Sequence, residues 1–93
     1  MATFIATAIK MKNNCAYSNN LLEIDKIYLD QSQDGWYSKE TIHDYVKSHP
    51  SDVVVGNNYG PNVVPCVSQN GEKYVKSAPN NTERDNLLNL PRR

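Results

Sequence analysis

Four side chains in this sequence have the chemistry of metal ligands: Cys15, His43, His49 and Cys66. Structural zinc sites take their ligands in close pairs along the chain. Here the two histidines are six positions apart, off a single helical face, and neither cysteine has a second ligand near it. No metal and no cofactor is therefore expected. Nucleophilic catalysis needs a nucleophile, a base and an orienting group within reach of one another. The sequence carries no G-x-S-x-G elbow and no glycine-rich phosphate loop. Glu40 and Asp44 stand at (i, i+4), on what reads as a solvated helix face, and Cys66 sits in an apolar run where a thiol packs rather than reacts. The chain is expected not to be an enzyme.

Binding chemistry has better candidates. The stretch Asn57-Asn58-Tyr59-Gly60 places one aromatic ring between amides and glycine. Tyr59 can stack on a planar base while Asn57 and Asn58 bond its polar edge, and Arg84 or Lys76 would meet a phosphate. The same composition also makes an ordinary tight turn. Lys10, Lys12, Lys73 and Lys76 would serve nucleic-acid binding only if they converged on one face. Ten basic against ten acidic side chains leave no general excess for that. Asn80-Asn81-Thr82 matches a glycosylation acceptor by chance in a chain without a secretory signal.

These residues need a scaffold, and its pieces are legible. Residues 3–11 alternate, with Ile5, Ile9 and Met11 on one face and Phe4, Ala6 and Ala8 on the other, so a strand is predicted. Residues 21–29 read as a second strand whose apolar parity switches between Ile24 and Ile27. A β-bulge near Asp25–Lys26 would return both to one face, although a short helix also fits. Residues 38–49 form a helix capped by Ser38, with Glu40 in its first turn and Lys47 near its end. Its stripe is Ile42, Tyr45 and Val46, Tyr37 is positioned to staple against Ile42, and Pro50 stops it. Three further strands are predicted at 52–56, 62–69 and 72–77. Asn70-Gly71 is a two-residue hairpin signal that would set Val67 opposite Tyr74 and Cys66 opposite Val75. Pro65 cannot donate to a ladder, so it should face an unpaired edge or a bulge.

The chain ends on RDNLLNLPRR. Thr82 can cap a last turn with Asp85 at its third position accepting backbone N–H groups, and Leu87, Leu88 and Leu90, followed by Pro91, read as a structural latch on the sheet; the alternative is that Asp85 and Asn86 bind a ligand's hydroxyls. Each leucine would contribute about 2 kcal/mol on burial. Tyr74 in a late strand, followed by Asp85-Asn86-Leu87-Leu88, one variable position and Leu90-Pro91, resembles the closing signature of the bacterial and phage family DUF3892, a domain of unknown function. The resemblance implies a compact α+β fold and no assigned activity. The chain departs from the family's pattern where a histidine is common before the second strand, and again at Arg92 and Arg93. Roles tied to those positions do not carry over.

Ninety-three residues make one domain, 1–93, with a thin core. The expected fold is α+β: one helix on a small, curved, mostly antiparallel sheet of about five strands in the order ββαβββ, closed by the C-terminal leucines. No run approaches the roughly 20 apolar residues of a membrane span, and MATFIATAIKMK lacks a basic region ahead of its apolar run, so a cytoplasmic protein is expected. The expected function is a small binding module that sequesters a nucleotide-like signalling ligand, as phage counter-defence proteins do. The alternative is a protein-interaction module or inhibitor of a host protein working through a sheet edge, with nucleic-acid binding behind both. A thin core with a spare edge also favours a homo-oligomer.

Overall fold

The computed structural model describes residues 4–18, 20–56, 60–78 and 86–93. Among them, six strands and one α-helix follow in the order β1 (Phe4–Met11), β2 (Ile24–Asp30), β3 (Trp36–Ser38), α1 (Lys39–Ser48), β4 (Val53–Val55), β5 (Val63–Val67) and β6 (Lys73–Ser77). Two 3-10 turns, Leu21–Glu23 and Asn86–Asn89, complete the set. The fold is α+β with mostly antiparallel pairing, as expected. It departs from a single five-stranded sheet: four strands form one sheet in the order β3-β2-β1-β4, and β5-β6 form a separate ribbon. One isolated antiparallel bridge, Val54 with Asn62, joins the two.

β1 and β2 pair antiparallel through two irregularities. Lys10 lies opposite Lys26 and Met11 opposite Ile24, so Asp25 is an extra residue, and Ile24, Ile27 and Leu29 all enter the core. The parity switch in the sequence marked that bulge. A second bulge was invisible. Ala6 faces Leu29 and Ala8 faces Tyr28, which makes Thr7 the extra residue. The strict alternation expected for β1 is thereby corrected: Ala6 and Ile9 join the core, with Phe4 and Met11 packed against it. A bulge shifts side-chain parity by one, so the two halves of the strand obey opposite patterns.

β4 lies parallel to β1, with Phe4 opposite Val53 and Ala6 opposite Val55. All three valines are buried, the pattern of a strand covered on both faces. The rest of that edge of β1 is taken by the chain's end. Ile9 N–H donates to the Pro91 carbonyl at 2.9 Å, and Arg93 N–H donates to the Ile9 carbonyl at 2.9 Å. Just before this contact Leu87 and Leu88 are buried, and Leu90 packs against the same core.

The helix begins where its cap dictates. Ser38 is extended, and its hydroxyl accepts the Thr41 N–H at 3.1 Å. Its buried stripe is Lys39, Ile42, His43 and Val46, rotated from the expected Ile42, Tyr45 and Val46. α1 packs against β5 and β6 as well as β2 and β3, so its inward face is set between two sheets. Tyr45 is left at the margin, half-buried.

The β5–β6 hairpin corrects the expected register. Cys66 lies opposite Tyr74 and Val67 opposite Lys73. The loop has three residues, because Ser68 N–H donates to the Glu72 carbonyl at 2.9 Å and Gly71 N–H returns to the Ser68 carbonyl at 3.0 Å. The Ser68 hydroxyl accepts from Asn70 and Glu72 N–H, and Gly71 supplies the left-handed residue at φ 85°. A side-chain anchor at Ser68 thus overrides the two-residue preference of Asn-Gly. Hydrogen-bonded pairs alternate in an antiparallel ladder. With Ala78 N–H bonded to the Asn62 carbonyl and Ser68 to Glu72, the backbone groups of Val63, Pro65 and Val67 point away from β6. Pro65 therefore sits where its missing N–H costs nothing, on the outward edge. Cys66 is half-buried rather than buried.

Candidate functional site

Two concave places stand out among the described residues. The first is formed by the loop between β1 and the first 3-10 turn. Asn14, Cys15, Ala16, Tyr17, Ser18 and Glu23 surround a hollow of about 470 Å³. Its thiol and its serine hydroxyl close on one carboxylate. The Cys15 thiol donates to Glu23 Oε2 at 3.0 Å, and the Ser18 hydroxyl donates to Oε1 of the same carboxylate. The bond to Glu23 raises the Cys15 pKa, which keeps the thiol protonated and weakly nucleophilic. Those two donors hold the Glu23 carboxyl below its usual range. Arg92 reaches in from the chain's end and donates to the Ala16 carbonyl at 2.8 Å and the Leu88 carbonyl at 3.1 Å. This constellation ties a loop to the tail.

The second place is chemically different. Phe4 from β1, Leu29 from β2, Tyr37 from β3, and Thr41, Ile42 and Tyr45 from α1 line a cleft of about 180 Å³. A cavity of roughly 150 Å³ accommodates benzene, whereas sites for drug-sized ligands run from roughly 300 Å³ upward. The cleft is the size of one ring. α1 starts immediately after β3, and Tyr45 on it stands edge-on to Phe4 of β1, centroids 5.7 Å apart. Ile42 forms the buried floor and Thr41 the exposed rim.

Tyr45 is fixed from three sides. Its hydroxyl donates to Asp52 Oδ2, its ring stacks on His49 at 4.5 Å, and Phe4 meets it edge-on. The hydrogen bond to Asp52, aided by burial and the carboxylate charge, pushes its phenol up to about 12. Ser51, next to Asp52, is held at φ 66°, a left-handed conformation uncommon for serine. At the opposite wall the Tyr37 hydroxyl accepts the Asp34 N–H at 3.3 Å. Thr41 Oγ1 accepts from the Ser38 hydroxyl at 2.9 Å.

Of the residues picked out for binding, Asn57, Asn58, Tyr59 and Arg84 lie outside the described residues, as do Thr82 and Asp85. Lys76 is described and half-buried on β6, on the face it shares with Val64, Cys66 and Tyr74, and it does not line the cleft. Two of the four lysines considered for nucleic acid are committed elsewhere: Lys12 to Glu72 at 3.4 Å and Lys73 to Asp44 at 2.9 Å. His43 Nδ1 stands 3.0 Å from the Tyr74 carbonyl, which can only accept, so that nitrogen carries the proton. The cleft itself escaped the sequence reading. Tyr37, Ile42 and Tyr45 were visible as neighbours around a helix start, but nothing local announces that Phe4 and Leu29 meet them.

No helix of the described residues is long and apolar enough to cross a membrane. Comparison with curated proteins and with solved structures gives no significant match. The sequence profile of one family, described as Protein of unknown function (DUF3892), matches residues 6–91. That span takes in the helix, the leucine tail and the described strands except the first two residues of β1, and the chain belongs to the DUF3892 family.

Proposed function

We propose that this chain is a non-enzymatic binding module that holds one planar ring of a small, nucleotide-like ligand in the cleft between α1 and the four-stranded sheet. The observation that carries the reading is the ring-sized cavity walled by Phe4, Tyr37 and Tyr45. Aromatic walls with a few polar groups at the rim are the usual make-up of a small-ligand site. Sequestration of a signalling nucleotide in the cytoplasm, of the kind phage counter-defence proteins perform, is the biological role that suits so small a binder. Titration of labelled protein with nucleosides and nucleotides, followed by amide chemical shifts, tests it. Ligand-dependent shifts centred on Leu29, Tyr37, Thr41 and Tyr45, abolished when Thr41→Phe fills the cleft, are expected. Flat spectra up to millimolar ligand would remove the proposal.

A second reading is favoured by the outer edge of β5. Its backbone groups at Val63, Pro65 and Val67 point away from β6, no described strand lies on that outward side at Pro65 or Val67, and Val67 is 57% exposed. An extended segment of another protein, or a second copy of the chain, would add at the Val67 end, while Pro65 blocks continuous pairing. Sedimentation of the wild type and of Val67→Lys distinguishes a self-associating edge from a monomer with an open one.

A further inference from the structure

The four-stranded sheet has a second face, turned away from the cleft. Residues opposite one another on neighbouring strands share a face, and successive residues alternate. Leu29 and Tyr37 line the cleft, so Tyr28 and Trp36, their neighbours in sequence and partners across β2 and β3, stand on the other side. The two rings meet edge-on with centroids 5.3 Å apart, and both are half-buried. The next row on this face crosses three strands: Lys10 of β1 lies opposite Lys26 of β2, and Lys26 opposite Ser38 of β3. On the other side of β1 the chain's end brings Arg93 alongside, its N–H donating to the Ile9 carbonyl at 2.9 Å. Lys10, Lys26 and Arg93 are all exposed.

Sheet stability does not account for that row. Like charges directly opposite on adjacent strands are destabilising. Lysines guard a sheet against unwanted pairing when they stand on edge strands, but β1 and β2 are its two inner strands. Neither Lys10 nor Lys26 has an ion-pair partner among the described residues. Asp25, at the bulge beside Lys26, pairs with neither, and Asp30 lies beyond Tyr28 on the side away from the lysines. The face therefore presents two aromatic rings one row from a group of uncommitted cations. Rows two residues apart are roughly 7 Å from each other, close enough for one nucleotide to stack its base on the rings and set its phosphate on the lysines.

We infer that this outer face binds single-stranded nucleic acid, with Trp36 and Tyr28 stacking on bases and Lys10 and Lys26 meeting backbone phosphates. Aromatic side chains set beside cations hold unpaired strands because every base has a stacking face and every linkage a charge. A duplex keeps its bases stacked on one another and offers only the charge. Ten basic against ten acidic residues confine the attraction to this local group, so binding depends on salt. The inference does not depend on the cleft, whose lining residues lie on the opposite side of the sheet.

Trp36 is the chain's single tryptophan, so its fluorescence reports stacking directly. The test titrates the full chain with oligouridylate of about ten nucleotides, a duplex of the same length and inorganic polyphosphate, following fluorescence, calorimetric heat and amide shifts. The single strand is expected to quench Trp36 and to lose affinity with salt at a log–log slope of about −1.4, the value for two phosphate contacts. Lys26→Glu, which keeps the fold because its carboxylate faces Lys10, is expected to weaken that binding by roughly tenfold. Equal affinity for duplex or polyphosphate, or undiminished binding by Lys26→Glu, overturns the inference. Shifts centred on Leu29, Thr41 and Tyr45 instead of Lys26, Tyr28 and Trp36 would assign the strand to the cleft, overturning the inference while leaving the proposed function intact. Absence of quenching at low salt overturns it without touching the cleft.

Discussion

Ile9 and Arg92 are partners in a parallel bridge, so the first strand of the chain and its last residues share one line of backbone hydrogen bonds. β4 covers β1 only from Phe4 to Ala6, and residues 91–93 extend that cover to Ile9. The leucine tail has an anchoring job at both ends: side chains in the core and backbone on the sheet.

Deleting residues 91–93 should therefore destabilise a fully folded domain. Ile9 is fully buried, and its N–H and carbonyl would lose their partners. The expected loss is about 2 kcal/mol, or roughly 8–16 °C in melting temperature for a chain this size. Leu87→Ala, in the core, should cost about 2–5 kcal/mol. Thermal unfolding followed by circular dichroism checks both, and a truncated chain that melts like the full one would show that the tail seals nothing.

Two glycines separate backbone strain from steric conflict. Gly35 and Gly71 both have φ above 80°. A Cβ at Gly35 would stand 2.6 Å from Tyr28 Cε2, whereas one at Gly71 meets nothing. Gly71→Ala should cost about 1 kcal/mol from conformation alone. Gly35→Ala should cost more, because it also displaces the Tyr28 ring from its edge contact with Trp36 at 5.3 Å. Urea midpoints of the two variants give the comparison, and equal losses would mean that the Tyr28 ring yields freely.

The Tyr45–Asp52 bond gives the domain an alkaline limit. The phenol ordinarily titrates at 10.0 and is raised to about 12 in the folded chain. A raised pKa means that its stabilising effect is complete below pH 10 and is lost as pH climbs from 10 towards 12. Tyr45→Phe should be less stable than wild type at neutral pH, and the gap should shrink through that window. Phenolate absorbance should show a late-titrating component in the wild type that is lost in Tyr45→Phe.

A buried ammonium fastens the helix start to the hairpin loop. Burial alone would lower the Lys39 pKa, but hydrogen bonds to Glu72 and Glu40 outweigh it and leave the pKa above 10.5. Glu72, bonded to Lys39 and Lys12, is held below 4.5. A depressed carboxylate stabilises above its ordinary pKa and ceases to do so as pH falls through the folded value. Glu72→Gln should thus lower the urea midpoint at pH 7 and match wild type in acid strong enough to protonate Glu72 in both states. Lys39→Met, which fills the same space, should be milder than Lys39→Ala. A Glu72→Gln deficit that persists unchanged in acid would rule out the ion pair as its source.

What the sequence determined by itself was local. Ser38 as cap, Pro50 as stop and the bulge at Asp25 are written in neighbouring residues, because capping, φ restriction and side-chain parity act over a turn or less. The resemblance to the DUF3892 family likewise holds, over residues 6–91. What only the tertiary structure decided depends on distant partners. Thr7 bulges to fit β2, Lys39 and His43 turn inward because Glu72 and Tyr74 wait there, and Ser68 resets the hairpin by one residue. The cleft belongs to this second kind. Its six lining residues come from three strands and a helix, and no spacing in the chain encodes a cavity that appears only where those elements fail to fill the space between them.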